Sequence, residues 1–173
     1  MADLESAAQS FAQFLLALGL ENSDQLDIAE SSKNTANLFA SWMKGLSEPE
    51  PQMMRMTSNG HDLVSLQKLP FYSFCAHHFV PFFGTVQIDY LPNQHIAGLG
   101  SFTRVIDHFS RRPQFQENLC AQIADYLFES LQPLALRVHL QARQMCLELH
   151  GKGNQIEIGV TADRGDVSLF KTI

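Results

Sequence analysis

Near the start of the chain, apolar residues recur every three or four positions: Leu4, Ala8, Phe11, Leu15 and Leu18. That spacing gathers them on one face of a helix, and Gly19 closes it. A second helix is predicted from about residue 24 to residue 44, with Leu38, Phe39, Trp42 and Met43 as its apolar stripe and Gly45 beyond its end. Residues 47–60 are rich in Pro, Ser and Met and read as a loop. Strand patterns follow. Residues 63–66 are short and apolar. Over 85–91, Val86, Ile88 and Tyr90 alternate with Thr85, Gln87 and Asp89, the period of a half-buried strand. Pro92-Asn93 makes a turn before a short strand at 96–99.

Two helices come next, one at about 102–109 and one that opens on Pro113 and runs to 131. In the second, Phe115, Leu119, Ile123 and Leu127 are spaced by four, and a proline suits a first helical turn, where its missing N–H has no partner to lose. The chain closes on three alternating sets: Val138, Leu140 and Ala142, then Met145, Leu147 and Leu149, then Ile156, Ile158 and Val160. Gly151-Lys152-Gly153-Asn154 reads as the hairpin turn between the last two. Helices and strands fall in blocks. The expected class is therefore α+β, a mostly antiparallel sheet with helices packed on one face. A helical segment and loop over 1–60 precede a region over 61–173 that carries the sheet and the chemistry.

The densest chemical stretch is Phe74-Cys75-Ala76-His77-His78-Phe79-Val80-Pro81-Phe82. Cys75 and His78 are close enough in sequence to meet one ion from a single turn, and thiolate plus imidazole is a zinc-type donor pair. A lone C-x-x-H fits equally well a buried cysteine beside a partly exposed histidine pair. Cys146 tips the balance. On a predicted strand, Cys146, Glu148 and His150 share one face and Met145, Leu147 and Leu149 the other, so this cysteine faces away from the apolar set. Three ligands would leave a fourth position for water, as catalytic zinc sites do.

Bulk properties narrow the partners. The 173 residues are 45% hydrophobic and 17% charged, with a formal net charge of −6. That balance disfavours nucleic acid and acidic membrane surfaces, though a pocket can still be locally basic. No apolar run reaches the roughly 20 residues of a membrane helix, and the acidic N-terminus lacks the basic start of a signal peptide. A cytoplasmic location is expected. There the three cysteines, Cys75, Cys120 and Cys146, are thiols or metal ligands rather than a disulfide framework.

Taken in order, Cys75-Ala-His77-His78-Phe-Val-Pro81-Phe82-Phe-Gly84, Tyr90-Leu-Pro92, Gly98-Leu99, Arg111-Arg112-Pro113-Gln114-Phe-Gln116-Glu117-Asn-Leu119 and Met145-Cys146 resemble the GTP cyclohydrolase I family. Its patterns read CEHHxxPFxG, YxP, GLSKxxR, RRPQxQExL and HMCMxxRG. The likeness runs in register from about residue 71 to residue 151. It implies the tunnelling fold, in which subunits join edge to edge into rings, typically decamers, with active sites at subunit interfaces. It implies a zinc-assisted reaction that hydrates C8 of guanine, opens the imidazole ring, releases formate and recyclises the product to a pterin. Residue by residue, Cys75, His78 and Cys146 correspond to the zinc ligands and His77 to the acid/base. Gln116 and Glu117 correspond to the guanine readers, and Arg104 to a triphosphate contact.

This sequence also departs from the pattern. Gln144 stands where the family has a histidine, and an amide cannot shuttle protons. Gly100-Ser101 replaces Ser-Lys, and His150 replaces an arginine. The losses gather at the triphosphate end. Charge-assisted contacts contribute roughly 1.5–3 kcal/mol each, so two missing ones weaken triphosphate binding by a factor of hundreds or more. The expectation is a zinc-dependent hydrolase opening the imidazole ring of a guanine nucleotide or related purine or pterin, with little triphosphate requirement. Two alternatives stay open: an ordinary GTP cyclohydrolase I, and a non-catalytic zinc-containing paralogue that binds a pterin or purine. Gln144 and His150 are candidate substrate contacts under each.

Overall fold

The computed structural model describes residues 2–21, 24–151 and 156–171. The chain divides into two compact units, 1–44 and 45–173. In the first, α1 (Leu4–Ala17) and α2 (Ile28–Trp42) pack on each other. Each starts at an aspartate whose carboxylate accepts a backbone N–H in the first turn, Asp3 from Ser6 and Asp27 from Glu30, both at 3.0 Å. Such caps satisfy donors the helix itself leaves free.

The second unit holds the remaining elements. They are β1 (Arg55–Thr57), β2 (Val64–Cys75), β3 (Pro81–Leu91), β4 (His95–Ala97), α3 (Leu99–Ser110), β5 (Pro113–Gln114), α4 (Gln116–Leu131), β6 (Ala135–Gln144), α5 (Met145–Leu149) and β7 (Glu157–Gly165). β1 pairs with β4. The main sheet runs β5-β2-β3-β6-β7, antiparallel except for the short β2–β5 pairing. One face of this sheet is dry. Val86, Ile88 and Tyr90 of β3 and Leu136, Val138, Leu140 and Ala142 of β6 are buried. They form one core with Phe102, Val105 and Ile106 of α3 and Leu119, Ile123 and Leu127 of α4. The other face is polar, with Arg137 gripping Asp163 through two hydrogen bonds at 2.7 and 2.8 Å. The alternation read from the sequence is the physical cause, since a period of two sends neighbours to opposite faces.

Four local expectations are corrected. Residues 55–57, expected within a loop, form β1 because β4 supplies an antiparallel partner. The strand expected at 63–66 runs on to Cys75, past a bulge between Leu66 and Leu69, where Lys68 takes a left-handed φ of 58°. Pro70 does not break it, because β5 pairs only with Phe74 and Cys75 and an edge position needs no donor there. Pro113 does not open α4. It pairs with Phe74 in β5, and the helix starts at Gln116. Residues 145–149 form α5, not a strand. β6 runs out of neighbours at that point: its last partner on β3 is Phe82 and its last on β7 is Glu157. The segment Met-Cys-Leu-Glu-Leu has no β-branched residue and favours helix. The hairpin turn expected at 151–154 lies, apart from Gly151, outside the described residues.

Candidate metal centre and adjoining cavity

β2 ends on Cys75 and β3 begins at Pro81, so the turn between them carries both histidines. Cys75 N–H donates to Val80 O at 2.9 Å and Phe79 N–H to Cys75 O at 2.8 Å, closing it. Phe79 takes a left-handed φ of 56°, a conformation that costs a bulky residue of order 1 kcal/mol or more. Stacking of its ring on Phe74, with centroids 5.6 Å apart, offsets part of that cost. Ala76 N–H also donates to Gln114 O at 3.2 Å, tying the turn to β5. Cys75 is thereby buried while His77 and His78 stand exposed, their rings 4.3 Å apart.

Cys146 reaches the same place from α5. One ligand atom each from Cys75, His78 and Cys146 lies within 4.8 Å of the others, and Cys75 Sγ is 3.9 Å from His78 Nδ1. Ligands of one tetrahedral zinc stand roughly 3.3–3.8 Å apart, so a small closure suffices. The electrostatics fit a cation as well. Burial, and then the neighbouring Cys75, push the Cys146 thiol up. Desolvation, and then His77 and His150, hold the His78 imidazole below its usual range. A Cys146 thiol held back from ionising beside a second thiol is an arrangement a divalent cation relieves, and a neutral imidazole is the ligating form.

A cavity of about 210 Å³ adjoins these thiols. Cys75 and Cys146 line it together with Gln114, Gln116, Glu117 and Gln144, against an apolar wall that includes Phe82 and Leu147. Five of the residues expected from the sequence (Cys75, Cys146, Gln116, Glu117, Gln144) thus converge, although β2, α4, β6 and α5 supply them. His78 joins through the thiols. His150 sits edge-on to the His78 ring with centroids 5.4 Å apart, outside the cavity lining. His77 does not line the cavity either. Arg104 is exposed on the first turns of α3, where its Nη2 donates to Ser101 Oγ at 3.0 Å, and it does not reach the lining.

Gln116 is 3% exposed and fully engaged. Its Nε2 donates to Ile158 O at 2.8 Å and Leu140 O at 3.3 Å, while its Oε1 accepts from Gln144 Nε2 at 2.8 Å. One lining residue, Gln114, has no role assigned from the sequence. Its Nε2 lies within 3.4 Å or less of Ser73 Oγ and the carbonyls of Phe109 and Arg112, and its buried Oε1 has no partner among the described residues. The only signal for it is its place in Arg-Arg-Pro-Gln-Phe-Gln-Glu, which marks the segment without ranking its residues.

Residues 7–168 match the family model described as GTP cyclohydrolase I. The chain is 36% identical over 149 residues to GTP cyclohydrolase 1 of Janthinobacterium sp. (strain Marseille), an alignment covering 84% of this chain and 75% of that one. It is 38% identical over 154 residues to GTP cyclohydrolase 1 of Streptococcus agalactiae serotype Ia, covering 87% and 82%. With the enzyme of the same name from Corynebacterium glutamicum it shares 37% over 153 residues, covering 86% and 78%. Among solved structures, archaeosine synthase QueF-Like in the apo form aligns with a TM-score of 0.52 at 19% identity, over 64% of this chain and 99% of that one. That last likeness bears on the fold alone, and the fold is the tunnelling fold.

Proposed function

The chain belongs to the GTP cyclohydrolase I family, and from that premise we propose that it is a zinc-dependent hydrolase opening the imidazole ring of a guanine nucleotide. The observation that carries this reading is the convergence of Cys75, His78 and Cys146 beside a cavity that Glu117 also lines. Cys75, His78 and Cys146 would hold the ion. Zinc, when bound there, supplies Lewis acidity that makes water a nucleophile at a pH of about 7.

The protein's own groups do the rest. A carboxylate at Glu117 can accept two parallel N–H bonds from the N1–H and 2-amino edge of guanine, and charge-assisted pairs of that kind discriminate strongly. His77, exposed beside His78, is the proton carrier for the ring nitrogen. Gln144 can hydrogen-bond a ligand but moves no proton. The apolar wall of Phe82 and Leu147 excludes water from one side of the ring.

Two versions of this reading differ in their need for triphosphate. Identity of 36–38% with relatives named GTP cyclohydrolase 1, across most of both chains, supports the ordinary reaction, from GTP to a dihydroneopterin triphosphate. Arg104 lying outside the cavity lining, with Gly100, Ser101 and His150 at the other family phosphate positions, supports a substrate with fewer phosphates. The assembly we propose is a homo-oligomeric ring in the cytoplasm. The β7 edge and most of the β2 edge carry no strand partner among the described residues, which supports edge-to-edge joining. No described helix is long and apolar enough to cross a membrane.

The test is a panel of GTP, GMP, guanosine and 8-oxoguanine derivatives with zinc-loaded protein, read as released formate for the purines with a C8–H and as lost purine absorbance for all. Fluorescent neopterin from GTP, after oxidation and dephosphorylation, selects the ordinary reaction. Faster release from GMP or guanosine than from GTP selects the phosphate-poor substrate. Silence across the panel overturns the enzymatic reading and leaves the binding paralogue.

A further inference from the structure

The two amides beside the thiols form a hydrogen-bond chain whose direction is fixed. Both partners of Gln116 Nε2, the carbonyls of Leu140 and Ile158, can only accept. Turning the Gln116 amide over would set its oxygen against two carbonyl oxygens, so chemistry decides which atom is nitrogen. Its oxygen must then face Gln144, and it can accept only the Gln144 nitrogen. By the same logic the Gln144 oxygen is the end turned away from Gln116. Among the described residues no side chain or backbone group donates to it, and Gln144 lines the cavity with Glu117 and both thiols.

The anchor is rigid. One turn along α4, Cys120 repeats the motif, with its thiol 3.4 Å from Val138 O and 3.6 Å from Val160 O. Gln116 and Cys120 together staple α4 to β6 and β7, and both are buried.

We propose that Gln116 is a positioning residue: it holds the Gln144 carboxamide with nitrogen inward and oxygen toward the cavity, so that this wall selects a ligand bearing an N–H or O–H donor at that point. The proposal rests on the cavity being the ligand site of the preceding section, and it replaces direct reading of guanine by Gln116 with reading by Gln144. A histidine at position 144 would present either a donor or an acceptor according to its tautomer. Gln144, so held, presents an acceptor.

The experiment combines crystallography and calorimetry on zinc-loaded full-length protein, with guanosine as probe. In Gln116→Met the Gln144 side chain should leave its wild-type rotamer. Guanosine affinity should fall about tenfold, the size of one lost neutral hydrogen bond. Gln144→Met should cost the same, and the double variant no more than either single, because both remove one interaction. Gln144→Glu leaves the Gln116 anchor intact and sets a carboxylate against the Gln116 oxygen. Its carboxylate can still accept from a ligand but cannot donate to Gln116, so in the crystal structure its side chain should leave the wild-type rotamer, and that decides the matter should Gln116→Met fail to fold. A Gln144 that stays in place in Gln116→Met, additive losses in the double variant, or a side chain in Gln144→Glu that keeps the wild-type rotamer overturns the proposal. If wild-type protein neither binds nor converts guanosine, the proposed function fails by itself, while the Gln144 rotamer in the variant still decides the positioning role.

Discussion

The thiol cluster and the amide cluster share one cavity, yet they are built in opposite ways. The thiols come from places where regular structure stops, the end of β2 and the five-residue α5, and His78 stands on an exposed turn. Among the described residues their side chains have almost no partners but one another and His78. The amides come from the packed interior. Gln114 and Gln116 are 5% and 3% exposed, and their nitrogens are held by backbone carbonyls. A metal site needs ligands that can close on an ion, so underused donors on adjustable segments suit it. A surface that reads a ligand's hydrogen bonds needs groups that cannot turn, so amide nitrogens anchored on fixed carbonyls suit it. The three cysteines follow the same division. Cys75 and Cys146 face each other, whereas burial pushes the Cys120 thiol up to about 11 and it serves packing.

The largest expected effect breaks the thiol side alone. Cys75→Ala or Cys146→Ala should lose bound zinc, measured by plasma mass spectrometry, and drop formate release by about a thousandfold or more. The melting temperature of the metal-free protein should barely move. If that melt collapses too, the thiols are structural and the contrast fails. Glu117→Gln comes next. It should retain zinc and lower kcat/KM for the active purine about a hundredfold, the scale of one charge-assisted pair. Cys120→Ala acts on the packed side. Urea unfolding should register a loss of about 1–3 kcal/mol, from a small cavity and the loss of one weak S–H donor shared between two carbonyls, with zinc content unchanged. Thiol titration sharpens the same point. After chelation at pH 8, Cys75 and Cys146, which border the cavity, should react ahead of Cys120, which should react only once urea unfolds the chain. Because the folded thiol of Cys120 is raised, its contribution to stability is complete below a pH of about 9 and fades as pH climbs toward 11.

The smallest effect lies on the polar face of the sheet, remote from both clusters. The hydrogen bond from Arg137 holds the Asp163 carboxyl below the usual range. A depressed carboxyl stabilises above the unfolded value and loses that contribution as pH falls through the folded one. Both side chains are more than a third exposed, so the pair contributes under about 1 kcal/mol. Arg137→Ala should therefore shift the urea midpoint slightly at pH 6 and progressively less as the pH is lowered below the usual carboxylate range, with zinc content and turnover unchanged.

Much of the fold was legible in the chain because side-chain period is a local property. Val86, Ile88 and Tyr90, and Val138, Leu140 and Ala142, show their alternation without any partner. Leu119, Ile123 and Leu127 likewise declare the buried face of α4, and all of them are core residues. Cys75 and His78 could be paired on the page because one tight turn holds both. The elements that were misread are those whose form depends on a neighbour. Residues 145–149 alternate like a strand, but a strand needs a partner edge, and β3 and β7 offer none beyond Phe82 and Glu157. Pro113 fits a helix start equally well, and only Phe74 across the sheet draws it into β5. The metal-type donors and the acidic Glu117 were properties of the sequence itself, since donor chemistry belongs to the residue. Which amide atom faces the cavity was not. Gln116 and Gln144 have no preferred orientation of their own; the carbonyls of Leu140 and Ile158, brought to α4 by the packing of β6 and β7, impose it, because a carbonyl oxygen can only accept.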